Sequence, residues 1–92
     1  MSIKKNVQLW KAEDIADFLR ADDNTPALKD YRIDGNGHFI TKTWNEERQA
    51  FTDTLTLTAG DVAQMVDMPL WELVKVDGGG FEDFALLFFE LD

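Results

Sequence analysis

Pro26 to Gly37 reads PALKDYRIDGNG, and Pro69 to Gly80 reads PLWELVKVDGGG. Both stretches open on a proline. Both carry an apolar-basic-apolar triplet, Tyr31-Arg32-Ile33 in one and Val74-Lys75-Val76 in the other, and both end in the turn D-G-x-G. Glycine and Asn supply the positive φ angles that tight hairpin turns demand, so each stretch predicts a hairpin. The paired strands are Leu28–Ile33 with His38–Trp44, and Leu70–Val76 with Phe81–Leu91.

Upstream of each hairpin lies a second matching block. Residues 12–19 (AEDIADFL) align with residues 59–66 (AGDVAQMV), with Ala12/Ala59, Asp14/Asp61 and Ala16/Ala63 identical. Apolar residues recur at three- and four-residue spacing in both, which predicts helices over about 11–20 and 59–66. Glu13 and Asp14 fall in the first turn of one, where carboxylates oppose the positive end of the helix dipole. Thr58 is placed to cap the other, and Pro69 follows its end. Ahead of the second helix, Phe51, Asp53, Leu55 and Leu57 alternate with Thr52, Thr54 and Thr56, a strand with one wet face. Val7 and Leu9 alternate in the matching place before the first.

The chain therefore reads as a strand-helix-strand-strand unit written twice, over about residues 6–44 and 53–91, within a single domain of 92 residues. The expected class is α+β: a mostly antiparallel sheet with two short helices on one face. The last strand is the unusual one. Phe84, Leu86 and Phe88 point to one side, and Ala85, Leu87, Phe89 and Leu91 to the other, which is the pattern of a central strand covered twice. Two short helices cover only one side. The other needs the rest of the chain (Trp44 and Trp71 are available), a second copy or a different partner, with Phe84, Phe88 and Phe89 as the contact residues.

Composition narrows the function classes. Hydrophobic residues make up 45% of the chain and aromatics 12%, enough for a packed core. Cysteine is absent, which removes disulfides, thiolate metal sites and cysteine nucleophiles. No apolar run approaches a membrane span and no signal-peptide pattern opens the sequence; with no cysteine, the expected compartment is the cytoplasm. The 18 Asp and Glu against 9 Lys and Arg give a formal net charge of −9. Residues 1–50 hold nine acids and eight bases, whereas residues 51–92 hold nine acids and only Lys75. Such a balance argues against direct nucleic-acid binding, which rests on neutralising phosphates.

Candidate chemistry is sparse. His38 is the only histidine and Ser2 the only serine, so a Ser-His-acid triad has no credible nucleophile. The acid pairs Glu13/Asp14, Asp22/Asp23, Glu46/Glu47 and Glu82/Asp83 are sequence neighbours, which diverge on regular elements instead of facing each other across a cleft. Asp34-Gly35-Asn36-Gly37 imitates the middle of an EF-hand loop, but Arg32 and Thr43 stand where its anchoring carboxylates belong. Gly78-Gly79-Gly80 lacks the Lys-Ser/Thr and the helix of a phosphate loop. Residues 58–76 resemble a helix-turn-helix reader in outline, yet Glu72 and Lys75 would be the charges on its recognition helix, with no Arg or Asn to meet the DNA. No catalytic residue, metal site or cofactor is expected.

Two readings remain. In the first, this is a small acidic, non-catalytic inhibitor or regulator that occupies a basic surface of a larger protein, of the kind that otherwise holds nucleic acid. By size and charge it is comparable to phage products that block restriction or CRISPR machinery and to toxin-immunity proteins. Its contact residues would be Asp61, Asp67, Glu72, Asp77, Glu82, Asp83, Glu90 and Asp92. In the second, it is an assembly module that dimerises through the apolar C-terminal strand.

Overall fold

A computed structural model describes residues 4–21, 28–78 and 81–91. In chain order the elements are β1 (Lys4–Lys11), α1 (Ala12–Ala21), β2 (Leu28–Ile33), β3 (Phe39–Asn45), β4 (Ala50–Leu57), α2 (Ala59–Met65), β5 (Leu70–Gly78) and β6 (Phe81–Leu91). The strand-helix-strand-strand order occurs twice, every strand pair is antiparallel, and the fold is α+β.

The strands divide between two three-stranded sheets, β2-β3-β4 and β1-β6-β5. Each sheet joins the hairpin of one half to the first strand of the other. β4 reaches β3 through a tight turn, whereas β1 crosses the whole sequence to pair with β6. That crossing satisfies β6, whose apolar pattern demands neighbours on both edges. The equivalent positions agree in burial: Phe39 lies opposite Leu57, Leu86 lies opposite Trp10, and both Phe39 and Leu86 are fully buried.

One core holds the two sheets and both helices together. Ile15, Ala16 and Leu19 of α1 and Ala59, Val62 and Ala63 of α2 pack with Phe39, Ile33, Leu86 and Phe88. These are the stripes that the helical spacing predicts, and burying such side chains is the main favourable term in folding. Thr41 is the one buried polar residue among the described core positions, and its hydroxyl donates to the Lys29 carbonyl at 2.7 Å.

Both helices start the same way. The Asp61 carboxylate accepts the Thr58 backbone N–H at 3.0 Å while the Thr58 hydroxyl accepts the Asp61 N–H at 3.1 Å, a complete capping box. In α1 the Asp14 carboxylate accepts the Lys11 N–H at 2.8 Å, but lysine has no acceptor to return the bond. At the far end of α2, Asp67 takes a left-handed φ of 57° and Met68 donates back to the Ala63 carbonyl at 2.9 Å, closing the helix before Pro69.

The β2–β3 turn forms where the sequence places it. Asp34 Oδ1 accepts the backbone N–H groups of Asn36 and His38, both at 2.9 Å, and Gly37 takes φ 78°. The Asp34 carboxylate is thus spent on its own turn. The N–H of His38, then that of Asn36, hold its pKa below the ordinary value for aspartate. The tip of the second hairpin, Gly79-Gly80, falls outside the described residues.

Candidate interaction surface

Alternation along paired strands gives each sheet a core face and an outward face. In β1-β6-β5 the core face carries Trp10, Leu73, Trp71, Phe84, Leu86 and Phe88. Three contacts fix that assignment: Trp10 meets Phe18 of α1 and Phe88 edge-on, and Lys75 lies over the Phe84 ring. The outward face follows from the register, in which Leu9 and Glu72 both stand opposite Leu87, Leu70 opposite Phe89, and Val74 and Lys11 opposite Ala85. It is an apolar surface with one carboxylate, Glu72, within it and with Lys11 and Asp83 at one margin, Asp83 standing opposite Val76. Leu9 is 45% exposed and Leu70 36%.

These positions correct part of the sequence reading. Phe88 is fully buried and belongs to the core, because its parity turns it toward the helices; it has nothing to offer a partner. Phe84 is half-buried on the same side, where a side chain added at Gly35 would meet its ring at 3.8 Å. Phe89 alone of the three faces outward, buried among its strand neighbours. Trp71 is on the core face and Trp44 is in the other sheet, so neither covers the outward side of β6.

The acids do not gather on one face. Glu72 lies on the outward face, and Glu90, by parity, on the opposite one. There Glu90 shares a shallow groove of ≈440 Å³ with Asp67, Val66, Met68 and Gln8. Asp61 is at the start of α2, held by its capping bonds, which also keep its pKa below the ordinary value. Asp83 sits near the opposite end of β6 from Glu90, in a cleft of ≈290 Å³ whose charged lining is Lys11, Glu13, Arg32 and Asp83. Both signs line that cleft, so it selects neither a cation nor an anion. Asp77 and Glu82 stand opposite each other in the β5–β6 register. Their side chains, and Asp92, lie outside the described residues. Among the described residues, the carboxylates of the second half are therefore distributed around the fold.

The outward face of β2-β3-β4 differs in kind. Lys29 pairs with Lys42 and Arg32 with Ile40, beside Thr54 and Thr56 of β4. A bulge at Thr43/Trp44 rotates Phe51 away from the strict alternation and onto this outward face, where it meets Trp44 at 5.1 Å under the Lys29 ammonium. Sequence reading missed this cationic, aromatic face. Alternation could not have found it: Lys29 and Arg32 are three residues apart, and only the register irregularity between them, where Asp30 takes φ 56°, brings both to one side.

His38 borders the turn, 3.7 Å from the Asp34 carboxylate through Nδ1. Among the described residues no three His, Asp or Glu side chains are grouped to hold a metal, and no helix is long and apolar enough to cross a membrane. Comparison with known proteins returns no match, whether to a family model, a curated protein or a solved structure.

Proposed function

We propose that this is a non-catalytic interaction protein that docks onto a basic surface of a larger protein, of the kind that otherwise holds nucleic acid. The observation that carries the reading is the outward face of β1-β6-β5: exposed Leu9 and Leu70 around Glu72, on a molecule of net charge −9. An apolar centre supplies contact area, and carboxylates distributed around it supply long-range attraction and raise the association rate. Asp61, Asp67, Asp83 and Glu90 contribute to that field from several directions, and Glu72 is the carboxylate inside the contact. Binding to a basic partner then weakens steeply between low and high salt, and Glu72→Lys weakens it further at either salt.

The same face supports a second reading, a twofold dimer with Leu9, Leu70, Leu87 and Phe89 at its centre. Sedimentation separates the two. A dimer persists or tightens in high salt, because screening relieves the repulsion of two chains of −9 each, whereas docking to a basic partner is lost there.

A further inference from the structure

We propose that the free edge of β1 and the adjoining side of α1 form a receiving groove for an extended, basic segment of the partner, which adds to the β1-β6-β5 sheet as a fourth strand. Among the described residues β1 is an edge strand, paired with β6 alone. Its last residues are in regular register with β6, from Gln8 opposite Phe88 to Lys11 opposite Ala85. The Lys11 N–H points away from β6, since it donates to the Asp14 carboxylate. In an antiparallel ladder the outward-pointing residues alternate, so Leu9 turns its own N–H and C=O to the same open edge.

Beside that edge lies an open groove of ≈470 Å³ lined by Gln8, Leu9, Trp10, Asp14, Asp17 and Phe18. One wall is a strand edge at which Leu9 turns its N–H and C=O outward, the Lys11 N–H being held by Asp14. The other is the side of a helix that carries two carboxylates and a ring. Phe18 is 38% exposed and stacks edge-on against Trp10 at 5.5 Å, leaving an aromatic floor for an apolar side chain. Arg20 marks the far end, bonded to Asp17 at 3.1 Å and to the Leu28 carbonyl at 3.0 Å. Strand addition draws affinity from the main chain and selectivity from alternate side chains. Here the residues turned toward α1 meet Trp10 and Phe18 below and Asp14 and Asp17 beside them, which asks for Lys or Arg, whose stems cover the rings while their ends reach the carboxylates; the alternate residues fall on the Leu9 side and are apolar. The charge of the whole molecule favours the same basic segment.

This inference shares with the proposed function a basic partner, but it rests on the strand edge and the side of α1 and not on the sheet face, Leu9 alone bordering both, and its test separates the two. The probe is a short synthetic peptide alternating lysine and valine, titrated into the intact protein by calorimetry with amide hydrogen exchange read in parallel. The expected result is binding that slows exchange at Leu9, is abolished when alternate peptide amides facing β1 are N-methylated, falls roughly fivefold or more in Asp17→Lys, and is unchanged in Glu72→Lys. A glutamate-valine peptide is expected not to bind. Equal binding of the N-methylated peptide, or protection that maps to β5 or to the β2-β3-β4 sheet, would overturn strand addition at β1 while leaving docking by the sheet face untouched. Loss of peptide binding in Glu72→Lys alone would place the contact on the sheet face and overturn the groove.

Discussion

The two sheets have the same plan and opposite surfaces. Each is a hairpin from one half of the chain completed by the first strand of the other half, and each turns a fully buried side chain, Phe39 or Leu86, into the common core. Outside, β2-β3-β4 presents Lys29, Arg32, Lys42 and threonines, with the Trp44–Phe51 pair lying under Lys29, while β1-β6-β5 presents Leu9, Leu70, Val74 and Leu87 around Glu72. A common scaffold fixes the inward residues and leaves the outward ones open to other demands. An apolar outward face costs solubility and is kept where something covers it; a polar one needs no such explanation.

The sharpest way to break this comparison is in the core. Phe39→Ala and Phe88→Ala each remove a fully buried ring, one from each sheet, and should each cost about 3–5 kcal/mol in urea unfolding. If the sheets share one core, both variants shift a single cooperative transition. Two separate transitions would show that the sheets stand independently.

A smaller effect tests the likeness of the halves. Thr58→Ala removes the hydroxyl half of the α2 capping box and should cost about 1 kcal/mol. Lys11→Ala removes no such acceptor and should leave the α1 cap unchanged, since Asp14 bonds the backbone N–H of that position.

On the outward side of β2-β3-β4, Lys29 and Lys42 stand directly opposite each other, an unfavourable pairing of like charges. Lys42→Glu should stabilise the protein by about 0.5 kcal/mol at low salt, and the gain should shrink as salt rises. No change at low salt would mean that the lysines already diverge into solvent.

The least effect is expected from acid. Asp34 and Asp61 have folded pKa values below those of the unfolded chain, because backbone N–H groups hold their carboxylates. Their contribution is present above the unfolded value and is lost as pH falls through the folded one. Asp34→Asn and Asp61→Asn should each flatten the fall in stability below about pH 4, measured by urea midpoints across the acid range.

Much of this fold was legible in the sequence because its signals are local. The alternation in β4, the spacing in both helices and the glycines of the Asp34–Gly37 turn each report on a few neighbouring residues. Asp14 and Asp61, identical in the aligned blocks, make the same bond to the backbone N–H three residues back. What escaped is long-range. Nothing within Lys4–Lys11 says that β1 joins β6 and not its own half, and that choice creates two sheets and opens the β1 edge. The candidate site was half visible for the same reason. The apolar C-terminal strand stood out, but only the register shows that Phe88 turns inward and Phe89 outward, and that Glu72 and Glu90 take opposite faces.

Docking through the outward face of β1-β6-β5 is tested most directly by a photoreactive residue placed at Leu70, with Thr54 on the other sheet as its counterpart, irradiated in lysate of the native cell. A covalent adduct with a strongly basic protein from Leu70, absent from Thr54 and lost in high salt, is the expected outcome. Equal adducts from both positions, or a Leu70 adduct with a second copy of the chain that survives high salt, would contradict it.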